Sequence, residues 1–507
     1  MRRPVPVLLA AALVAGCLGP TPSAPDDAVP PALGFRPDCS IASGLDRWPD
    51  PCTARVSWNE APAKTEIDLA VNPLDPNNVV VASKDLDPRA SNCVWSVAQV
   101  TKDGGRTWKT VYVGGDRANR EPVLVPYSCV TDPILVFDAN GVLYYALQAY
   151  RWAVSPRDVP SLPTGWPYLG SAFVLAVSRD GGETWGTFAH MAVGDAQLVF
   201  HDYPRMVVNP ATNSVHSVWN GWTTTWGDST RAPRSFTDVP GQYDTVSVWA
   251  VTARSEGREV DRPVNFFAPD APRTTQFFGG LAADAEGRVY VTVVKSPLNE
   301  DQRPAVEDVF LYESVDDGRS FQEVGRVFSY ARGTQGDGPA RNAAWRAPVH
   351  AELAADLATG RLYAAYTDEA QGHRDVHVRW SDDRGRTWSE PARANLDETA
   401  NDQFFPRIVV ARDGAVHVLY YDRAFDPADK LLDASLATSV DGGATWTNLR
   451  LTASPFDGDL GKHQTTLGPF IGDYNGIGVA SDGTVWTGWG DTRTGVAEVA
   501  VAKVLAP

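Results

Sequence analysis

The chain has 507 residues, of which 43% are hydrophobic, and its 17 tryptophans and 16 tyrosines allow a large buried core. Its formal net charge at pH 7 is −17 and no basic stripe is present, which argues against binding of a nucleic-acid backbone. The sequence has no zinc-ligand spacing, phosphate-binding glycine loop, serine-nucleophile elbow or Cys-x-x-Cys pair, so the enzyme classes built on those motifs are not indicated.

The N-terminus has the pattern of an export signal. Arg2 and Arg3 precede an apolar stretch over 5–15 that is too short to span a bilayer, and small residues lead up to Cys17. We predict a lipoprotein-type signal peptide over 1–17 with Cys17 as the lipidation site; an ordinary signal peptide with an incidental cysteine is the alternative. The protein is then exported, and it is either secreted or held at the cell surface through this lipid, its one expected membrane contact.

Residues 18–50 are predicted to be a Pro-rich tether and N-terminal segment, because the tether lacks periodic apolar residues. Beyond the lipidated cysteine an even number of cysteines remains, which favours two disulfides in an exported protein. Three connectivities are open. In the predicted propeller, Cys93 and Cys129 lie on the same face of adjacent blades. This placement favours Cys93–Cys129 together with Cys39–Cys52.

One turn pattern, Ser/Thr-x-Asp-x-Gly-x-Thr/Ser-aromatic, recurs five times from residue 101 onward. Its Asp and hydroxyl side chains can accept backbone N–H groups across a tight turn between two strands, and its Gly can take a positive φ. A degenerate copy occurs at 252–257. We therefore predict a repeat architecture in which the recurrent aspartates are structural. They are Asp103, Asp180, Asp316, Asp383 and Asp441.

These repeats resemble the Asp-box (BNR repeat) family, which includes sialidases and other secreted β-propellers. The resemblance covers roughly residues 60–505. It implies an all-β propeller, whereas activity has to be argued from the site, because propellers without enzymatic activity carry the same turn.

Seven strand–turn–strand hairpins predict a seven-bladed β-propeller over 51–507 with four-stranded antiparallel blades. A six-bladed ring is the alternative, because sialidases are typically six-bladed. The last unit lacks a fourth strand, and we predict that a segment near 55–58 supplies it and closes the ring. The hairpin turns begin at Asn72, Asp138, Asn209, Asp284, Asp356, Arg412 and Ser481.

The two faces of such a ring are predicted to differ. Short turns and the Asp boxes fall on one face, whereas the long connections fall on the other, which we predict to be the working face. Several loop tryptophans either stack on sugar rings or pack the long loops onto the propeller. They are Trp152, Trp166, Trp222, Trp226 and Trp345.

The start of each innermost strand brings carboxylates, arginines and tyrosines to the channel mouth. The resemblance implies sialidase chemistry, in which arginines hold the substrate carboxylate, a tyrosine activated by a glutamate attacks the sugar, and an aspartate is the acid/base. The matching candidates are Tyr474 or Tyr421 as nucleophile, Glu352 as its partner, Asp132 or Asp202 as acid/base, Arg205, Arg407 and Arg493 as clamps, and Tyr421 again as a substrate contact.

The aromatic-Arg-Ile-Pro motif of the family is missing, which leaves catalysis open. Arg205 and Arg407 occur three positions after the place of the motif's arginine, where they either point into the channel or pair with Asp202 and Asp402. For the other candidates a purely structural role also stays open. Tyr474, for example, is either a nucleophile or an aromatic side chain packed beneath the mouth.

Two functional hypotheses follow. In the first, the protein is an exported, sialidase-like glycoside hydrolase that acts on or binds glycans at the channel mouth. In the second, it is a non-catalytic surface propeller that binds protein or polysaccharide, or scaffolds an envelope assembly. We predict a monomer without a cofactor or metal site; Ca²⁺ held by channel carboxylates is the alternative.

Overall fold

The structure is a computed structural model that describes most of the propeller region. The described residues are 53–57, 63–86, 94–116, 118–152, 168–194, 199–223, 245–267, 274–297, 304–331, 340–349, 351–452, 454–460, 463–465 and 468–505. The predicted signal peptide and tether lie outside them, as do Cys17, Cys39, Cys52, Cys93, Trp166 and Trp226.

The chain forms an all-β propeller of seven blades with four-stranded antiparallel sheets, as predicted. Blade 1 consists of β2 (Lys64–Val71), β3 (Val79–Asp85), β4 (Trp95–Thr101) and β5 (Lys109–Tyr112). Blade 2 consists of β6 (Cys129–Phe137), β7 (Leu143–Trp152), β8 (Tyr168–Ser178) and β9 (Thr187–Gly194). Blade 3 has β10 (Val199–Val208), β11 (Val215–Thr223) and β12 (Thr245–Arg254), and its outer edge is divided into β13 (Glu259–Val260) and β14 (Val264–Phe267).

The next three blades follow the same order from the channel outward. Blade 4 consists of β15 (Thr274–Ala283), β16 (Val289–Pro297), β17 (Val306–Ser314) and β18 (Gln322–Ala331). Blade 5 consists of β19 (Glu352–Ala355), β20 (Leu362–Asp368), β21 (Asp375–Ser381) and β22 (Ala392–Arg393). Blade 6 consists of β23 (Gln403–Val410), β24 (Val416–Asp422), β25 (Asp433–Ser439) and β26 (Thr447–Arg450).

Blade 7 combines the two ends of the propeller region. A small hairpin, β27 (His463–Thr465) and β28 (Gly468–Phe470), precedes β29 (Gly476–Val479), β30 (Val485–Asp491) and β31 (Glu498–Val504). The outer strand is β1 (Thr53–Arg55), which pairs antiparallel with β31. The innermost strand β29 also contacts β2 of blade 1. The N-terminal segment therefore closes the ring, as predicted.

Strands in the middle of a blade are apolar on both faces. In β3, Val80 and Val81 point to opposite sides and both are fully buried, because each blade is stacked between two neighbours. Each full burial of such a side chain contributes about 1.5–3 kcal/mol. A short 3-10 turn covers Pro122–Leu124, and no helix in the described ranges is long and apolar enough to cross a bilayer.

The Asp boxes form the tight turns between the third and fourth strands. In blade 2, Asp180 Oδ1 accepts hydrogen bonds from the Ser178 hydroxyl (2.8 Å) and the Thr184 N–H (2.9 Å). In this box Gly181 and Gly182 take φ values of 73° and 100°. Its first residue, Ser178, pairs with the first residue of β7, so the box lies on the face of the first hairpin turns.

The degenerate box at 252–257 still makes its turn. Ser255, Glu256 and Gly257 all have positive φ between β12 and β13. The positions of the carboxylate, the second hydroxyl and the aromatic residue hold Arg254, Arg258 and Glu259, so the turn is kept although most side chains of the box have been lost.

Cys129 is the one cysteine in the described part of the chain. It is buried and disulfide-bonded, and its partner lies outside the described residues. The next residue, Val130, donates its N–H to the carbonyl oxygen of Val94, which follows Cys93 in the sequence (3.0 Å). This contact favours Cys93–Cys129, which stays a prediction together with Cys39–Cys52.

Candidate active site at the channel mouth

The innermost strands carry a β-bulge in five blades: the register of β15 shifts between Phe278 and Leu281, and four other strands shift at an equivalent position and share one further feature. The register shifts between Thr65 and Asp68 in β2, and equivalent shifts occur in β6, β10 and β23. A bulge re-aims the side chains of the strand, and it places a residue in the left-handed region here. These residues are Glu66 (φ 56°), Asp132 (φ 49°), Tyr203 (φ 55°) and Phe405 (φ 55°). Backbone strain of this kind, repeated around one opening, marks a candidate functional site.

Four charged side chains join across the channel and are called the channel network here: Asp68, Arg205, Glu352 and Arg407. The Glu352 carboxylate lies between two guanidinium groups, 3.0 Å from Arg205 Nη2 and 2.7 Å from Arg407 Nη1. Arg407 Nη2 lies 3.5 Å from Asp68 Oδ1. The network thus links strands of blades 1, 3, 5 and 6.

The channel network contains the carboxylate with which Arg205 and Arg407 pair. Arg205 and Arg407 bind Glu352 across the ring rather than Asp202 and Asp402, the neighbours considered from the sequence. Asp402 instead accepts the backbone N–H of Arg374 (3.0 Å) and lies 3.4 Å from Arg341 Nη2. Arg205 is 2% exposed, so its positive charge is neutralised within the protein.

Three carboxyl groups form a second set at the mouth, called the carboxylate chain here: Glu66, Asp132 and Asp202. Asp132 is the middle member, because its side chain is hydrogen-bonded to both Glu66 and Asp202. The Thr131 hydroxyl also binds Asp132 Oδ1 (2.8 Å), and the Trp222 indole N–H donates to Asp202 Oδ2 (3.2 Å). Sequence analysis predicted Asp132 and Asp202, and the structure brings them together.

Burial and mutual repulsion give the three carboxyl groups of the carboxylate chain different proton affinities. Burial and the neighbouring Asp132 charge raise the pKa of Glu66 well above its usual range. The same two causes raise the pKa of Asp202 to about 7. Burial alone would raise the pKa of Asp132. The charge of Lys84 and hydrogen bonds from Glu66, Thr131 and Asp202 outweigh burial, so the pKa of Asp132 is lowered. One ionised carboxylate therefore lies between two carboxyl groups that hold protons more tightly.

Two cations border the carboxylate chain. Lys84 Nζ lies 3.1 Å from Glu66 Oε2 and 3.9 Å from Asp132 Oδ1. Arg346, from the connection between β18 and β19, forms an ion pair with Asp473 and keeps 40% of its side chain exposed. Its guanidinium partly offsets the rise in the Asp202 pKa. Sequence analysis missed Glu66, Lys84 and Arg346 as site residues.

The two tyrosines at the mouth lie between the channel network and the carboxylate chain. The Tyr203 hydroxyl accepts a hydrogen bond from Arg205 Nη2 (2.5 Å), and its backbone N–H points to Asp132 Oδ2 (3.4 Å). The Tyr474 hydroxyl donates to the Pro133 carbonyl (3.3 Å), and the Arg205 guanidinium lies over its ring. Burial raises the pKa of the Tyr474 hydroxyl well above its usual range, so the phenolate form is disfavoured.

Three other residues that were predicted as candidate substrate contacts lie outside the channel network and the carboxylate chain. Tyr421 lies in the core between blades 6 and 7, where its hydroxyl donates to the Gly490 carbonyl (2.8 Å) and accepts the Gly490 N–H (3.1 Å). Arg493 binds Asp491 (2.7 Å) beside blade 6 and does not join Arg205 and Arg407. Trp345 is 1% exposed and packs on Phe404, so it anchors a loop rather than offering a sugar platform.

Within the described ranges, no group of three or more His, Cys, Asp or Glu side chains is arranged to hold an ion. The carboxylate chain is instead held by hydrogen bonds among its own members. Such an arrangement can donate a proton from one carboxyl group while a neighbouring carboxylate accepts one.

Comparisons with known proteins give one family match and several distant structural ones. The chain is similar to the Hadza microbial sialidase Hz136, with 17% identity, 84% of this chain and 76% of that chain covered, and a TM-score of 0.47. It is also similar to the Penicillium chrysogenum α-L-arabinanase complexed with arabinobiose, with 12% identity, 89% of this chain and 97% of that chain covered, and a TM-score of 0.43. A third similar structure is an ulvan lyase of polysaccharide lyase family PL25, with 10% identity, 88% of this chain and 94% of that chain covered, and a TM-score of 0.46.

No curated protein sequence matches the chain. The model of the BNR repeat-like domain matches residues 279–458, which contain most of blades 4 to 6. This stretch of the chain is similar to the BNR repeat-like domain, and the predicted BNR-repeat resemblance is confirmed.

Proposed function

We propose that the protein binds a glycan at the channel mouth and hydrolyses a glycosidic bond there by carboxyl acid–base catalysis. The carboxylate chain is the observation that carries this proposal. Glycoside hydrolysis needs one carboxyl group that stays protonated near neutral pH and one that is ionised. Asp202 meets the first of these requirements, because the ionised Asp132 beside it raises its proton affinity.

In this proposal Asp202 is the general acid that protonates the leaving oxygen, since its raised pKa keeps it protonated up to about pH 7. Asp132 is the neighbouring ionised carboxylate whose charge helps to keep the proton on Asp202. Glu66 holds Asp132 in place through a hydrogen bond.

The tyrosine–glutamate mechanism implied by the resemblance receives less support. Glu352 is bound by two arginines, and the Tyr474 hydroxyl is bound to the Pro133 carbonyl. Neither group is placed to activate the other. Arg205 and Arg407 are likewise occupied by protein carboxylates, so a three-arginine clamp for a sialic acid is not assembled from the described residues.

The test is turnover of fluorogenic aryl glycosides of neutral, amino and acidic sugars, sialosides included, by the full-length protein. Asp202→Asn should lower kcat by about 10²–10⁴-fold. The loss should be greater for a poor leaving group than for an activated phenol, because only the former needs protonation. Asp180→Asn is the matched control, since it makes the same substitution in an Asp box on the opposite face and should leave kcat unchanged.

Two outcomes would oppose the proposal. Equal activity of Asp202→Asn and Asp180→Asn on every hydrolysed glycoside would show that the carboxylate chain is not catalytic. Glycan binding without turnover of any glycoside would favour the alternative, a non-catalytic surface propeller.

The proposal includes export and attachment to the membrane through a lipid on Cys17. The apolar segment over 5–15 and the small residues before Cys17 support it. Cys17→Ser should leave the protein exported but soluble, whereas the native chain should fractionate with membranes and incorporate labelled fatty acid. Incorporation of label by Cys17→Ser would contradict it.

A further inference from the structure

We propose that Arg346 is a ligand-binding residue of the channel mouth, and that one edge of its guanidinium binds two adjacent hydroxyl groups of a neutral sugar. The choice of the mouth as the glycan site rests on the proposed function. Binding itself can be measured with sugars that resist hydrolysis, so it can be tested separately from turnover.

The guanidinium of Arg346 has one occupied edge and one open edge. Nε lies 3.0 Å from Asp473 Oδ1 and Nη2 binds Asp473 Oδ2, so this carboxylate takes the Nε–Nη2 edge. The second edge, Nη1–Nη2, presents another pair of N–H donors in a planar fork. Among the described residues no acceptor binds Nη1, and 40% of the Arg346 side chain is exposed. The Nη1–Nη2 edge is therefore available to a ligand.

The fold holds Arg346 in place before a ligand binds. The preceding residue, Trp345, is fully buried in the core. The following residue, Ala347, is also buried, and its carbonyl oxygen accepts a hydrogen bond from the Arg374 guanidinium. The ring of Phe470 lies 5.2 Å from the guanidinium carbon of Arg346. Because the backbone and the side chain are both fixed, binding costs little conformational entropy.

The open edge belongs to the same opening as the carboxylate chain. The Phe470 ring that borders Arg346 also lies 5.2 Å from Lys84 Nζ, which in turn lies 3.1 Å from Glu66 Oε2. The positive charge of Arg346 also acts on Asp202. A sugar bound at this edge therefore lies beside the carboxylate chain.

The charges around Arg346 favour a neutral sugar. The carboxylate chain and Asp473 supply four carboxyl groups, and the cations described at this opening are Lys84 and Arg346. Two hydrogen bonds link the three acids of the chain, and each needs one shared proton, which leaves one negative charge on the chain. With Asp473 this charge balances the two cations, and the channel network is balanced in itself.

No net positive charge therefore remains to attract an acidic sugar, and the overall charge of −17 repels anions at longer range. A pair of adjacent sugar hydroxyls offers the open edge two acceptor oxygens without adding a charge. Neutral hexoses and pentoses are the class of ligand that meets both conditions.

The experiment is a ligand-observed NMR titration of the full-length protein with aryl thioglycosides, whose sulfur linkage resists hydrolysis. The panel combines neutral hexosides and pentosides with their deoxy analogues and with the corresponding uronic acids. In the native protein a neutral sugar should bind more tightly than its uronic acid. Arg346→Met should raise the Kd of that sugar about 10–100-fold, because hydrogen bonds to a charged donor are lost.

Two comparisons assign the effect to the open edge. Removal of one of the two hydroxyls should weaken binding to the native protein and have no effect in Arg346→Met, since both changes break the same contact. Arg346→Lys keeps the charge but lacks the fork, so it should bind as weakly as Arg346→Met. Arg384→Met is the matched control and should leave Kd unchanged, because Arg384 is also 40% exposed and paired with a carboxylate, Glu286, but lies in an Asp box on the opposite face.

Four results would overturn the inference: unchanged affinity in Arg346→Met, native affinity in Arg346→Lys, tighter binding of a uronic acid, or no binding of any sugar in the panel. If Arg346→Met does not fold, Arg346→Lys and the deoxy sugars decide it. Binding that follows expectation in a protein that hydrolyses no glycoside would leave the role of Arg346 standing and refute only the proposed hydrolysis. Hydrolysis with a KM that Arg346→Met leaves unchanged would do the reverse.

Discussion

Glu352 and Arg407 meet across the central channel, with Oε2 2.7 Å from Nη1, although they belong to different blades. Glu352 also binds Arg205, so a single carboxylate compensates two guanidinium groups from blades 3 and 6. The charges are removed from water, and their cost of desolvation is offset only while all partners are present.

Glu352→Gln should therefore lower the free energy of unfolding by about 3–5 kcal/mol, because it leaves two arginines buried without their shared countercharge. Urea denaturation followed by fluorescence measures the change. Glu323→Gln is the control, since Glu323 pairs with Lys295 at the surface (2.5 Å), where such a loss costs about 0–1 kcal/mol. Similar small losses in both variants would mean that the channel network adds little to stability.

The raised pKa of Asp202 predicts how activity depends on pH. As a general acid it must be protonated, so kcat/KM should fall as pH rises through about 7. A pH–rate profile without a decline near neutrality would contradict the assignment of Asp202.

The same group predicts a pH effect on stability. The folded-state pKa of Asp202 is raised above its unfolded value, so its contribution is fully present at low pH and is lost as pH rises through about 7. Between pH 3.8, the ordinary Asp pKa, and about pH 7, the native protein should lose stability relative to Asp202→Asn by up to about 1.4 kcal/mol per pH unit. Denaturant titrations of both proteins at several pH values measure this difference, and parallel pH dependences would refute it.

Tyr421 can be tested as a packing residue rather than a substrate contact. Tyr421→Phe keeps the ring against Phe404 and removes the hydroxyl that pairs with both backbone groups of Gly490. We expect a stability loss of about 1–3 kcal/mol, the cost of leaving buried polar groups unpaired, with glycan affinity unchanged. Weaker glycan binding at unchanged stability would restore the role given to Tyr421 from the sequence.

The blades were predictable because their signals are local. An Asp box fixes its own turn through contacts between residues two and four positions apart, as in Asp180 with Ser178 and Thr184. Hairpin turns are equally local, so counting them gave the seven blades. The missing fourth strand of blade 7 then implied closure by the N-terminal segment, which β1 provides.

The site was predictable only in part, because its contacts join distant segments. Asp132 and Asp202 were found since both lie at the start of an innermost strand. Glu66 was missed because the bulge that aims it appears only in the strand register. Arg346 was missed because its position depends on the path of a connection that reaches Asp473 of blade 7.

Ring closure gives a final prediction that compares two truncated chains, one beginning at residue 51 and one at residue 58. The longer chain keeps β1 and the two residues after it, which add the Val56 N–H bond to the Val499 carbonyl and the bond from the Val499 N–H to the Ser57 hydroxyl, both 2.9 Å. Loss of β1 exposes β31 as a sheet edge that can pair with other chains. The shorter chain should be less stable by at least about 1–3 kcal/mol, at about 0.5–1.5 kcal/mol for each of these two bonds, and more prone to aggregate. Thermal melts and light scattering measure both effects, and identical melts would show that β1 does not close the ring.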